Sequence, residues 1–142
     1  EDPVFLARRI VICAAEDVGM ANPQALVVAT SAMQAVHMIG MPEARIILSE
    51  AATYVATSPK SNATYLGINQ ALHDVVTKDT GEIPMHIRNA PAEGMEKLGY
   101  GVGYKYPHDY PGHWVEQQYL PDKMVGTKYY HKDFAEDEKS EK

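Results

Sequence analysis

The side chains able to do chemistry in this 142-residue chain fall into a few small sets. His108, Asp109 and His113 lie within six residues of a turn-rich stretch, and imidazole and carboxylate are both zinc ligands. They lack a four-ligand spacing, and no cysteine pair accompanies them. Cys13, the single cysteine, sits in Ile10-Val11-Ile12-Cys13-Ala14, a setting that predicts a buried thiol rather than a nucleophile. No serine occupies a G-x-S-x-G elbow. The carboxylates are scattered along helix surfaces and the tail rather than paired. Gly99-Tyr100-Gly101-Val102-Gly103 is glycine-rich but does not join a predicted strand to a helix, and no G-x-x-x-x-G-K-[ST] phosphate loop exists. The expectation is therefore a chain with no catalytic, cofactor-binding or metal-binding residue of its own.

Basic residues give the more open reading. Arg8 and Arg9 are adjacent in the first predicted helix, and Lys60-Ser61 occupies a helix junction. His86, Arg88 and Asn89, then Lys105 and Tyr106, mark a later segment rich in rings. Guanidinium and ammonium groups can contact phosphates, and tyrosines can stack on unpaired bases. The same residues can equally pair with an acid such as Asp17 or lie at a subunit contact. Charge argues against a strongly basic footprint, since the chain carries a net −6. Residues 1–80 hold five Lys/Arg against eight Asp/Glu, residues 81–132 hold six against six, and the last ten hold two against five. That acidic end, 133–142, reads as a frayed, solvated tail.

The elements that would position these residues are helices. Asp2 and Pro3 make an N-cap and first helical residue for a helix over 3–18, ended by Gly19. Its face is Leu6, Ile10, Cys13, Ala14 and Asp17. Asn22-Pro23 caps and opens a second helix over 23–39, nearly uncharged and thus central in the fold or covered by another subunit. Gly40-Met41-Pro42 precedes a third, over 43–57, with Ile47, Leu48, Ala51, Ala52 and Val55 as packing face. A fourth, over 61–77 with Ser58 or Ser61 as cap, presents Tyr65, Leu66, Ile68, Asn69, Leu72, Val75 and Val76. The helix–break–helix rhythm predicts antiparallel hairpins in an all-α array.

After residue 80 the composition changes. Ile83-Pro84 and Ile87 read as a short extended segment, and residues 91–98 as a short helix. Seven of the nine tyrosines lie between Tyr100 and Tyr130, punctuated by glycine. The prediction is an ordered Gly/Pro/Tyr-rich strap over the helices, with Trp114, Tyr119 and Leu120 as anchors. Residues 1–132 would then form one helical domain. No signal peptide or membrane span is expected, and a single cysteine fits a cytoplasmic setting. The absence of an initiator methionine predicts a domain of a longer or processed chain.

The blocks EDPVFLARRIVICAAEDVGMANPQAL, IGMPEARIILSEAATYVATSPKSNATY, IPMHIRNAP and KLGYGVGYKYPHDYPGHWVEQQYLPD occur in one order from Glu1 to about Tyr130. In them the chain resembles the C-terminal part of the replication-associated recombination protein A family, AAA+ ATPases related to the Werner-helicase-interacting ATPases. The matching positions include Arg8-Arg9, Gly40-Met41-Pro42-Glu43, Ser58-Pro59-Lys60-Ser61, His86, Arg88-Asn89-Ala90-Pro91 and Gly103-Tyr104-Lys105-Tyr106. Val102 stands where family members often have a second lysine, and Glu93-Gly94 where Arg or Lys is common. The resemblance implies a clamp-loader-type C-terminal oligomerisation domain, assembling with itself into a homotetramer. It implies that ATP and magnesium belong to an ATPase region preceding Glu1, and that the whole protein is a DNA-dependent ATP hydrolase. It further implies DNA and single-stranded DNA-binding protein as partners at stalled forks, and a nucleoid-associated place in the cytoplasm. Direct contact of this domain with DNA or a protein partner, through Arg8, Arg9, Lys60, Ser61, His86, Arg88, Asn89, Lys105 and Tyr106, is the alternative.

Overall fold

Asp2 opens the first helix as its type predicts: its carboxylate accepts a hydrogen bond from the Val4 amide at 3.0 Å, with Pro3 in the first turn. The computed structural model describes residues 1–137; the remainder of the predicted acidic tail, 138–142, lies outside the described residues. Among the described residues there are four α-helices and no strand: α1 Pro3–Cys13, α2 Gln24–Ile39, α3 Ala44–Thr57 and α4 Ala63–Thr77. Single 3-10 turns make up the other elements, apart from one wider turn. That one, a π-helical turn over Ala14–Val18, carries α1 on to Gly19.

Gly19 has φ +49, and a Cβ there would lie 2.7 Å from the carbonyl oxygen of Ser61. Only glycine lets the two backbones meet this closely. The Ser61 amide donates to the Asp17 carbonyl at 2.8 Å beside it, so the end of the first helical segment and the start of α4 are tied backbone to backbone. Asn22 does not cap α2. Its amide nitrogen donates instead to Tyr54 Oη at 3.1 Å and Ser58 Oγ at 3.3 Å, pinning the α2 entrance to the end of α3. At the start of α4 the Ser61 hydroxyl accepts from the Ala63 amide at 3.3 Å.

The chain divides into two compact units, Glu1–Leu72 together with the chain from Lys128 onward, and His73–Thr127. In the first, α1, α2 and α3 pack against one another. Their core is made of small side chains: Ala7, Ala14, Ala25, Ala29, Ala32, Ala44 and Ala51 are buried, joined by Val18, Val36 and Val55. Ile10, Val11, Cys13 and Tyr54 pack partly against it. The predicted faces need correction. Ala51 and Val55 of α3 are buried, but Ala52 is exposed, as are Leu6 and Asp17 of the first helical segment. The predicted packing face of α4 is bare: Tyr65, Leu66, Ile68, Asn69, Leu72, Val75 and Val76 are all exposed. The side α4 does cover is marked by Gly67, where a Cβ would stand 2.9 Å from the Tyr129 carbonyl oxygen. Cys13 is half-buried rather than sealed.

The acidic end also differs from the frayed tail expected. Asp133 caps a 3-10 turn over Phe134–Glu136, Ala135 is buried, and Glu136 accepts from Ser61 Oγ at 2.6 Å and from the Tyr130 hydroxyl.

The second unit is a chain of turns. The expected helix over 91–98 is not formed: Gly94 takes φ +89, and only the 3-10 turn Glu96–Leu98 follows. The expected extended segment at Ile83–Ile87 contains a 3-10 turn at Met85–Ile87. Of the predicted anchors, Trp114 is 71% and Tyr119 52% exposed, and Leu120 is half-buried. Met124, missed in the sequence, is the buried apolar side chain of this region.

Candidate functional site

The residues proposed for phosphate or partner contact are placed in two sets, one in each unit. In the first unit Arg8 is exposed, its guanidinium carbon 6.0 Å from the Phe5 ring centroid, at the outer edge of a cation–π contact. Arg9 is also exposed. It shares an open groove of about 570 Å³ with Leu6, Ile10, Leu48, Ala52 and Arg45. Arg45 donates to the Pro42 carbonyl at 2.7 Å, fixing its stem at the start of α3.

Lys60 performs a task the sequence reading did not assign to it. Its ammonium donates to the carbonyls of Val55 at 2.9 Å and Ala56 at 3.3 Å, and to that of Ser58. Those carbonyls lie at the C-terminal end of α3 and its cap, where a cation also meets the negative end of the helix dipole. Ser61 is buried and bonded to Asp17, Glu136 and Ala63. Both residues are thus occupied by the fold. Asp17, Lys60, Ser61, Asn62 and Asp133 line a shallow polar depression. Nearby, burial raises the Cys13 thiol pKa, helped by the Asp17 carboxylate that its Sγ meets at 3.2 Å. A thiol held protonated in this way is a poor nucleophile.

In the second unit the basic residues brace the turns. Arg88 Nε donates to the Ile83 carbonyl at 2.7 Å, its Nη2 pairs with Glu82 at 3.0 Å, and its guanidinium lies 5.7 Å from the Tyr100 ring. The Glu82 hydrogen bond raises its pKa further. His86 Nε2 is 2.7 Å from the Gln118 carbonyl. The Lys105 amide donates to Gln117 Oε1 at 2.7 Å, Gln117 Nε2 returns a bond to the Lys105 carbonyl at 3.1 Å, and Lys105 Nζ reaches the Glu116 carbonyl at 3.3 Å. Asn89 is exposed.

Tyr106 belongs to a feature that spacing alone did not reveal. Its ring is 5.1 Å from that of His108, which is 4.7 Å from that of His113, and all three side chains are exposed. The three form a row of tilted rings rather than a ligand set. Among the described residues, no group of three His, Cys, Asp or Glu side chains is arranged to hold a metal ion. Nor is any helix among them long and apolar enough to cross a membrane.

Comparison with known proteins gives the family. The model of the MgsA AAA+ ATPase C terminal matches residues 1–142. An AAA domain-containing protein of Mycobacterium tuberculosis is 48% identical over 130 residues, covering 92% of this chain and 29% of its own length. Replication-associated recombination protein A of Bacillus subtilis is 45% identical over 125 residues, covering 88% of this chain and 30% of its own. That of Escherichia coli K12 is 38% identical over 130 residues, covering 91% and 29%. The chain thus spans about 30% of the length of these relatives. It belongs to the family of C-terminal domains of MgsA-type AAA+ ATPases.

Proposed function

We propose that this chain is the self-association module of an AAA+ ATPase acting in DNA replication, recombination and the rescue of stalled forks. ATP and magnesium would be bound by an ATPase region elsewhere in the same polypeptide. Four copies, arranged as in clamp-loader-type collars, would hold those ATPase regions together on shared DNA. The assembly would work in the cytoplasm, at the nucleoid, with single-stranded DNA-binding protein as a partner.

One observation carries this reading: the large and small apolar side chains are distributed the wrong way round for a solitary domain. Alanines fill the core, and among apolar residues Val18 is the largest that is fully buried. Meanwhile Ile68 is 54%, Leu72 57% and Val76 83% exposed along one helix, with Leu26, Val27, Met38 and Ile39 exposed on another. Burying a Leu or Ile side chain is worth about 1.5–3 kcal/mol, so leaving many outside forgoes most of the hydrophobic stabilisation available. Contiguous apolar surface of this kind is characteristic of association faces. The Ile68→Glu/Leu72→Glu double variant tests it. Sedimentation velocity should show a lighter particle than the wild type with unchanged far-UV dichroism; equal masses would contradict the proposal.

A second reading, contact with single-stranded DNA or a protein partner, is favoured by the exposed row of Tyr106, His108 and His113 and by Trp114. Base–aromatic stacking is worth about 1–3 kcal/mol per base. Of the basic candidates, Arg8 and Arg9 fit it better than Lys60, Ser61, His86, Arg88 or Lys105, whose polar groups already serve the fold. Asn89 stays with the second reading as an exposed amide. Quenching of Trp114 fluorescence by oligo-dT, weakening steeply with salt, is the outcome it requires.

A further inference from the structure

The self-association just proposed leaves open which surfaces meet, and two features of the first unit are complementary. One is the groove between α1 and α3, floored by Leu6, Ile10, Leu48 and Ala52 and rimmed by Arg9 and Arg45. Its lining is apolar, and its two charged rim residues have the same sign. The other is the turn at Phe134. Four interactions hold that turn in place: the Asp133 side chain accepts from the Ala135 amide at 3.0 Å, Ala135 is buried, and Glu136 accepts from both Ser61 and Tyr130. What the anchored turn presents outward is a phenyl ring, 81% exposed, in a stretch whose three carboxylates, Asp133, Glu136 and Asp137, outnumber its one cation, Lys132, which is ion-paired with Asp137. A frayed tail would not need this anchoring, and an exposed phenylalanine contributes nothing to its own fold.

We infer that Phe134 of one copy inserts into the Leu6–Leu48 groove of a second copy, bringing the net negative charge of its turn against Arg9 and Arg45. The occupant is a second copy of this chain because the acidic-flanked ring and the arginine-rimmed groove are both present on it, and the ring does not fill its own chain's groove. Arg9 thereby becomes a subunit-contact residue. Because groove and ring are different patches, the contact is heterologous: each copy gives a ring to one neighbour and receives one from another. Such a contact generates a closed ring of copies, or a filament where the rotation does not close. A desolvated aromatic anchor facing arginines has the composition of an interface hot spot.

This inference rests on the self-association reading, and mixing experiments separate the two. Phe134→Ala removes the ring and leaves the groove; Ala52→Glu, at an exposed helical position, blocks the groove and leaves the ring. Each variant of the full 142-residue chain, checked for helicity by far-UV dichroism, is weighed by light scattering alone and in equimolar mixture. Each alone should dissociate at least about 30-fold more readily than the wild type. The mixture regains one contact per pair, and should weigh more than either variant at the same total concentration. Arg9→Glu/Arg45→Glu serves as the groove variant if Ala52→Glu loses its helices. Variants that retain the wild-type mass, or a mixture weighing only the average of its components, would overturn the ring-in-groove contact while leaving self-association standing. A wild-type chain that is monomeric at every concentration would overturn both.

Discussion

Residues 1–57 and residues 73–127 solve the same problem by opposite means. The first region turns its backbone into long helices that satisfy their own polar groups, then brings them close through alanine, glycine and serine. Little large apolar surface is consumed, and much is left outside. The second region has no long element and one buried apolar side chain, Met124, beside the buried Asp74 at the end of α4. Its backbone groups are satisfied by side chains reaching across turns: Arg88 to Ile83, His86 to Gln118, Gln117 to Lys105. The first kind of structure leaves apolar faces free to bind. The second uses Arg88, His86 and Lys105 to brace its own turns, while Tyr106, His108 and His113 stay exposed.

The comparison predicts where substitutions hurt. The largest effect belongs to the close backbone approach in the helical unit. Gly19→Ala forces a side chain into φ +49 and against the Ser61 carbonyl, so urea unfolding should show a loss of roughly 2–4 kcal/mol. A loss under about 1 kcal/mol would mean that this approach is not what fixes the unit. Next is Met124→Ala, with a cost of about 2 kcal/mol, read as lost hydrogen-exchange protection at the Thr127 amide, which donates to the Met124 carbonyl at 3.0 Å. Lys60→Ala should cost only about 0.3–1 kcal/mol, the value of a cation at a helix C-terminus. Unfolding curves should resolve it, and Lys60→Arg should recover most of it.

The smallest effect in energy is the sharpest in assignment. Tyr130 donates to Glu136, which pushes its phenol pKa up to about 12, while bonds from Ser61 and then Tyr130 hold the Glu136 carboxyl below its ordinary value. Absorbance titration of the phenolate should find a tyrosine ionising near about 12, and Glu136→Gln should return it towards about 10. The signs follow from linkage. The raised phenol stabilises the turn fully below about pH 10, and this is lost as pH rises towards about 12. The lowered Glu136 stabilises it above the ordinary carboxylate range, and this is lost as pH falls through the depressed value. Wild-type titration with no such tyrosine would remove the Tyr130–Glu136 bond from the anchoring of the Phe134 turn.

Where the sequence was legible, the signal was local. Asp2-Pro3, Gly19, Gly40-Met41-Pro42 and Ser61 punctuate the chain within a residue or two of the observed helix ends. Gly94 shows the limit of that reasoning: 91–98 has a helix-like start at Pro91 and a stop at Gly99, yet a glycine in its middle takes positive φ and only a 3-10 turn survives. Periodicity found the apolar side of α4 but could not say that no element of the helical core covers it, because one face looks alike whether its partner is in the chain or outside. Partners distant in sequence left no local mark. Ser61 meets Glu136 75 residues away, and Asn22 meets Ser58 36 residues away, so a junction serine and a helix-opening asparagine were read by type instead of by contact. Lys60 shows the same limit: a lysine after a helix is equally a phosphate ligand or a C-terminal cap until the carbonyls it faces are known.

The central claim is that the bare apolar surface is covered by other copies of the chain. Its most direct test is the mass of the wild-type 142-residue chain by light-scattering chromatography across a concentration series. The account predicts a particle that is a stable multiple of the 15.7 kDa protomer, four copies in the proposed arrangement. A particle that stays at one protomer mass to the top of the series would contradict it.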